Sequence, residues 1–274
     1  MLKLRIMTAC VLFVVLLLAV LVFSSVGFQL FIGLVLALAA WEWSRLSGLQ
    51  SAAGRILYLA VFIGLLYLIR VYQEPANFII TIGIFWWLMA LVMIKLYPDS
   101  THLWHRTPLL LVIGLMVLLP GWLSLLHLRD SPNFRQYVFL FFAMVAAADI
   151  GAYFSGKKFG RHKLSPTVSP NKTWEGFAGG VFACCVVLWS GLFVIDLADF
   201  QLNVVALLAA TSGAAVLASY SVVGDLFESM MKRQANVKDS GTLLPGHGGV
   251  LDRIDSMTAA LPLYTWVLME ARLI

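Results

Sequence analysis

The sequence predicts an all-α, polytopic integral membrane protein, and three observations carry that prediction. Hydrophobic residues fill 61% of its 274 positions and charged residues only 12%. The apolar residues come in runs of roughly 20, the length that crosses a bilayer as a helix, because lipid offers no partner to an open backbone group. Most of the charges fall between those runs, and the stretch from Asp225 to Asp255 alone holds four Lys or Arg and five acidic residues.

About nine spans follow in order, near residues 5–24, 26–41, 55–72, 76–96, 108–126, 136–155, 174–196, 203–226 and 254–272. Lys3 and Arg5 precede an apolar run longer than a secretory signal's core, and the run reads as the first span. The first four spans read as scaffold and lipid-facing surface. Trp41, Glu42, Trp43 and Arg45 form an amphipathic junction whose indoles suit the headgroup layer, and an interfacial anchor is expected there. Phe85, Trp86 and Trp87 lie mid-span and read as packing. His102 and His105 have no third ligand nearby, so the loop around them reads as solvated. Cys10, Cys184 and Cys185 all fall inside spans, where cysteine serves as a small apolar residue.

With the N-terminus inside the cell, fifteen Lys and Arg lie on the inner side and four, Arg70, Arg129, Arg135 and Arg272, on the outer. That asymmetry agrees with the positive-inside rule and puts the long polar loops in the cytoplasm.

The sixth span differs from those before it. Ala146, Ala147, Ala148, Gly151, Ala152 and Gly156 give it a small-residue face that lets another helix approach closely. Asp149 lies within that run, and a carboxylate at that depth is costly unless it faces a wet cavity or a cation. Gly156–Gly176 follows, a basic loop stiffened by Pro166 and Pro170. Lys157, Lys158, Arg161 and Lys163 suit anionic headgroups. Ser169, Asn171, Lys172 and Thr173, packed at a helix start, read instead as an anion-binding corner.

The eighth span extends as helix past the membrane toward Arg233, which places Asp225, Ser229 and Lys232 on one face. Glu228 flanks them. The loop after it, with Gly241, Pro245, Gly246, Gly248 and Gly249, can bring backbone N–H groups against an anion. Asp252 and Asp255 at the start of the ninth span face the same way, and with Asp225 they form a plausible oxygen cage for Mg²⁺. Lys232, Arg233, Lys238 and Arg253 would neutralise phosphates. There is no Walker GxxxxGK[ST]. The domain division expected is an N-terminal transmembrane scaffold over 1–135 and a catalytic region over 136–274 with cytoplasmic loops 156–174 and 227–253.

At these residues the chain resembles the phosphatidate cytidylyltransferases, the CDP-diacylglycerol synthases of membrane lipid synthesis. Their C-terminal signature is matched by Ser229-x-x-Lys232-Arg233-x4-Lys238-Asp239-x-Gly241-x2-Leu244-Pro245-x-His247-Gly248-Gly249-x-x-Asp252-Arg253-x-Asp255, and the segment Ser169-Pro170-x-Lys172-Thr173-x-Glu175-Gly176 looks like a second family motif. The resemblance implies transfer of a cytidylyl group from CTP to phosphatidate with release of pyrophosphate. It also implies a metal centre at Asp225, Asp252 and Asp255, holding Mg²⁺ with room for a monovalent cation such as K⁺, in a homodimeric enzyme of the inner membrane. Lys172, Lys232, Arg233, Lys238, His247 and Arg253 are then the expected catalytic set. Ser169, Asn171, Thr173, Ser229, Gly248 and Gly249 are the expected binding set, and Asp149 is a fourth candidate at the metal.

His247 is assigned to phosphate binding or loop shape and not to proton abstraction, and no nucleic acid is expected as a partner. Two other readings were weighed. A CTP-dependent lipid kinase would transfer the γ-phosphate, and the full signature argues against it. A transporter would carry polar groups at the middle of spans in both halves, and the first 140 residues have no charge there.

Overall fold

The protein is described by a computed structural model covering residues 2–72, 76–194 and 204–274. The side chains of Lys3 and Arg5 and the ends of the seventh and eighth spans near 195–203 lie outside the described residues. Nine α-helices are present among those described: α1 (Leu2–Leu21), α2 (Ser25–Leu46), α3 (Ala52–Tyr72), α4 (Ala76–Leu96), α5 (Thr107–Asp130), α6 (Phe134–Phe159), α7 (Trp174–Val194), α8 (Val204–Gln234) and α9 (Leu251–Glu270). By length and composition α2 to α8 are apolar enough to cross a membrane, while α1 contributes a shorter apolar stretch, Ile6–Leu21. The expected all-α membrane architecture is therefore observed. Helix α9 falls outside the seven because Asp252, Arg253 and Asp255 crowd its first turns.

The Gly156–Gly176 loop has more structure than its prolines suggested. Strands β1 (Lys163–Ser165) and β2 (Ser169–Thr173) pair antiparallel, with Lys163 opposite Thr173 and Ser165 opposite Ser169. Val168 at the tip is 1% exposed and anchors the hairpin to the helices. At its base, Glu175 accepts from the backbone N–H of Arg161 (3.0 Å), and its Oε1 lies 2.6 Å from His162 Nδ1. The first turn of α7 and the start of the hairpin are thereby tied together.

Helices α6 and α7 pack backbone to backbone, as the small-residue face of α6 predicts. A Cβ added at Gly180 would lie 2.7 Å from the carbonyl oxygen of Ala148, and one at Gly176 would lie 2.9 Å from that of Ala152. Larger residues would wedge the pair apart.

Aromatic packing joins the two halves of the chain. Phe227 on α8 stacks on Trp43 of α2 at 6.3 Å and meets Trp86 and Trp87 of α4 edge-on at 5.9 and 5.7 Å. The two mid-span tryptophans are packing groups, as expected. The expected interfacial anchor at Trp41–Arg45 is corrected here: Trp43 is 1% exposed, with its indole N–H donating to Leu110 O at 2.7 Å, and Glu42 is 3% exposed.

His102 and His105 sit in and just after a 3₁₀ turn (Thr101–Leu103), each with Nδ1 near a local carbonyl, Asp99 O at 3.3 Å and His102 O at 2.8 Å. The three cysteines are free thiols.

The bundle has two polar ends. At one, the C-terminal ends of α2, α6 and α8 meet the hairpin and the start of α9. At the other, Arg129 donates to Phe23 O (2.8 Å), Arg135 to Leu21 O (3.2 Å) and Arg70 to Gln29 Oε1 (3.2 Å). Three of the four arginines expected on the outer side thus share the end away from the charged loops.

Candidate active site

Among the cavities at the loop-bearing end, two are lined by residues expected in the site. The first, of about 550 Å³, lies between α6, the hairpin, the start of α7 and α8; its polar walls are Asp149, Lys157, Ser169, Asn171, Lys172, Thr173 and Asp225. The carboxylate of Asp149, which looked costly in the sequence, lines a cavity whose wall also carries the Lys157 and Lys172 side chains. Lys172 Nζ lies 2.5 Å from Asp225 Oδ2, and Ser229 Oγ donates to Asp225 Oδ1 at 3.3 Å. Both members of the ion pair remain accessible, with side-chain exposures of 26% and 34%. An arriving anion can therefore compete for Lys172, and an arriving cation for Asp225. Thr173 is 7% exposed and its Oγ1 accepts from Gly176 N at 3.1 Å, so this residue also caps α7.

The second cavity, of about 610 Å³, lies in the loop between α8 and α9 and is walled by Lys238, Asp239, Thr242, His247, Arg253 and loop backbone. The loop turns through Gly248, whose φ of +85° is a conformation that L side chains rarely adopt. His247 N donates to Leu244 O at 2.9 Å, and Leu244 N to Gly248 O at 2.9 Å, which closes the turn. Lys238 and Arg253 are exposed, as is Arg233 on the last turn of α8, which is not in the wall of either cavity.

A buried charge cluster lies at the start of α9, where it meets α8 and the loop. Lys232 Nζ lies 2.6 Å from Asp252 Oδ1 and 2.7 Å from Glu228 Oε2, with side-chain exposures of 15%, 5% and 4%. Asp252 Oδ2 accepts from Ser240 N (2.8 Å), Ser240 Oγ (2.9 Å) and Gly249 N (2.8 Å). Burial works against the Asp252 anion, but Lys232 and the Gly249 and Ser240 N–H groups outweigh it and hold its pKa below the ordinary carboxylate range.

Glu42, from the opposite half of the sequence, joins the same loop. Its Oε1 accepts from Val250 N at 3.0 Å, and its Oε2 from Leu251 N at 2.9 Å and Ser240 Oγ at 3.0 Å. Arg45, one turn on, donates to the carbonyls of Asp239 (3.4 Å) and Ser240. A Cβ at Gly241 or Gly249 would collide with the Glu42 carboxylate. Those two glycines make room for a carboxylate of the protein itself, which the sequence reading had taken to be room for a ligand anion.

The expected metal residues are brought together only in part. Asp225 is near enough to both Asp149 and Asp255 for their charges to interact, and Asp255 to Glu228. Asp255 Oδ1 accepts from Ser256 N at 2.7 Å. Among the described residues no three His, Cys, Asp or Glu side chains converge closely enough to hold a metal ion. Both oxygens of Asp252 are already engaged by protein donors. The donors on offer are nonetheless all oxygens, as a hard cation requires, and Glu228 Oε1 is buried with no hydrogen-bond partner. Oxygen donors of this kind suit a hard cation such as Mg²⁺ by their chemistry.

Comparison with known proteins decides the family. A profile of the cytidylyltransferase family matches residues 3–270. The chain belongs to the cytidylyltransferase family. A phosphatidate cytidylyltransferase of Pseudomonas aeruginosa is 44% identical over 271 residues, covering 99% of this chain and 98% of the relative. One from Haemophilus influenzae is 38% identical over 289 residues, covering 97% and 98%. One from Staphylococcus aureus is 46% identical over 136 residues, half of each chain. Of the residues that shape the site, Glu42 and Arg45 were missed in the sequence. Their only local signal was a carboxylate and a guanidinium three residues apart at the end of an apolar run.

Proposed function

We propose that this chain is a phosphatidate cytidylyltransferase, converting CTP and phosphatidate to CDP-diacylglycerol and pyrophosphate in phospholipid biosynthesis. The observation that carries this reading is the Lys172–Asp225 pair, open to a cavity, with Lys172 in one signature segment of the family and Asp225 one turn before the other. An oxygen of the lipid phosphate attacks the α-phosphorus of CTP. The new P–O bond forms as the bond to the β-phosphate's bridging oxygen breaks, and pyrophosphate leaves with that electron pair.

A phosphate monoester, with a second pKa near ~6, is mostly dianionic at neutral pH, so no general base is required. His247 accordingly binds phosphate or shapes its loop. Lys172, Lys238 and Arg253 offset the charge that spreads over the phosphoryl group and the leaving pyrophosphate, while Lys232 keeps Asp252 in place. Ser169 and Asn171, on the cavity wall, and Ser229, against Asp225, orient the phosphate and the carboxylate. Gly248 and Gly249 give the loop its turn. Asp225, Asp252, Asp255 and Asp149 are the residues that would hold Mg²⁺, alone or with a monovalent cation such as K⁺, and the ion would supply charge neutralisation at the phosphate oxygens.

The enzyme is a homodimer in the cytoplasmic membrane with its site facing the cytoplasm. The gathering of the basic loops at one end supports that orientation, because CTP comes from the cytoplasm and phosphatidate from the leaflet. The test is turnover by the protein purified in detergent with CTP, phosphatidate and Mg²⁺. The expected products are CDP-diacylglycerol and pyrophosphate in equal amounts, with activity lost in EDTA and restored by Mg²⁺. CDP released without a cytidylylated lipid would overturn the reading.

A further inference from the structure

We propose that Glu42 is a positioning residue for the nucleotide, acting through the α8–α9 loop and not by touching substrate. This rests on the function proposed above and assigns the two cavities different tasks. The first cavity joins a polar head, with Lys172, Ser169 and Asn171 beside the carboxylates of Asp149 and Asp225, to apolar walls that include Tyr153, Phe177 and Val222. That is the profile of a lipid phosphate with its glycerol and upper chain. The second is walled by Lys238, His247, Arg253, Thr242 and glycine backbone, and suits a polyphosphate.

Glu42 serves the second alone. Its carboxylate takes up the N–H groups of Val250 and Leu251 and the Ser240 hydroxyl, which bracket the segment that carries Thr242 and His247, with Lys238 just before it and Arg253 just after it. Ser240 Oγ lies between Glu42 Oε2 and Asp252 Oδ2, with one proton for two acceptors. Ser240 on one side and Gly249, Val250 and Leu251 on the other are thus drawn onto a pair of carboxylates, one from α2 and one from α9. A buried carboxylate holding three donors is worth more than a neutral amide in the same place, because charge-assisted bonds are roughly twice as strong. The first cavity is built by α6, α7, α8 and the hairpin, none of which supplies a hydrogen bond to Glu42.

The experiment is Glu42→Gln, assayed against each substrate in turn with the other saturating. We expect KM for CTP to rise about tenfold or more, with KM for phosphatidate within about twofold of wild type, the signature of lost binding for one substrate only. Gly241→Ala, whose methyl would displace the same carboxylate, is expected to reproduce the selective rise, and the double variant to be no worse than either alone.

Hydrogen exchange of the substrate-free protein gives a readout independent of turnover. Amides of 240–251 should lose protection in Glu42→Gln while α6 and α7 keep theirs. Equal rises in both KM values, a rise for phosphatidate alone, or unchanged exchange at 240–251 would each overturn the proposal. If wild-type protein failed to turn over CTP and phosphatidate, the underlying function would fall while the exchange result still judged Glu42 as the loop's anchor.

Discussion

Two ion-paired corners of this site contrast in a way that separates contact with substrate from construction of the site. At Lys172–Asp225 both side chains are about a third or a quarter exposed and face a cavity. At Lys232–Asp252–Glu228 the exposures fall to 15%, 5% and 4%, and Asp252 is saturated by the protein's own donors. The first corner can exchange its partners for a ligand at little cost in fold. The second cannot, because removing one member leaves a buried charge uncompensated. Similar residue types at similar spacing therefore do different work, and only burial distinguishes them.

The sharpest way to break the comparison is to neutralise one aspartate at each corner. Asp225→Asn is expected to lower turnover by about 10³-fold or more, as for lost transition-state electrostatics, while unfolding in detergent shifts little. Asp252→Asn should lose comparable activity and also about 3–5 kcal/mol of stability, since Lys232 stays buried beside a neutral amide and Glu228 alone. Thermal unfolding of both variants checks this. Equal stability losses would erase the distinction.

Next in size, Lys172→Ala should cost about 10²-fold in turnover with the fold intact, because the partly exposed lysine contributes charge to the phosphate and little to packing. Gly180→Ala tests whether the open corner depends on the approach of α6 to α7: its methyl would push against the Ala148 carbonyl, at about 1–3 kcal/mol of stability, and should move Asp149 and Lys172 apart. Activity and unfolding should fall together. The smallest effect is expected from Thr173→Ala, which removes the α7 cap for about 1 kcal/mol and leaves Lys172 in place. A loss of activity as large as that of Lys172→Ala would mean that Thr173 contacts substrate.

Much of this arrangement was legible in the residues. Run length and the near absence of mid-span charge gave the membrane helices, because the bilayer imposes a length and a polarity that composition must obey. The small-residue face of α6 foretold its close neighbour, though not that the neighbour is α7. Helical spacing put Asp225 and Ser229 on one face, and they do meet.

What was not legible depends on tertiary approach. The hairpin at 163–173 has strands of three and five residues, too short for alternation to show, and its prolines pointed only to a stiff loop. Glu42 lies some 200 positions from the N–H groups it receives, so nothing in its local pattern set it apart from an interfacial junction. The same limit misled the reading of Gly241 and Gly249. A glycine announces close approach without saying by what, and here the approaching group is Glu42.

The most direct test of the whole account uses CTP labelled in separate samples at the α- and γ-phosphates, given with phosphatidate and Mg²⁺ to wild-type protein and to Asp225→Asn. The account predicts α-label in the lipid product of wild type, γ-label only in pyrophosphate, and neither transferred by the variant. Label from the γ-position in lipid would contradict it, as would undiminished α-transfer by Asp225→Asn.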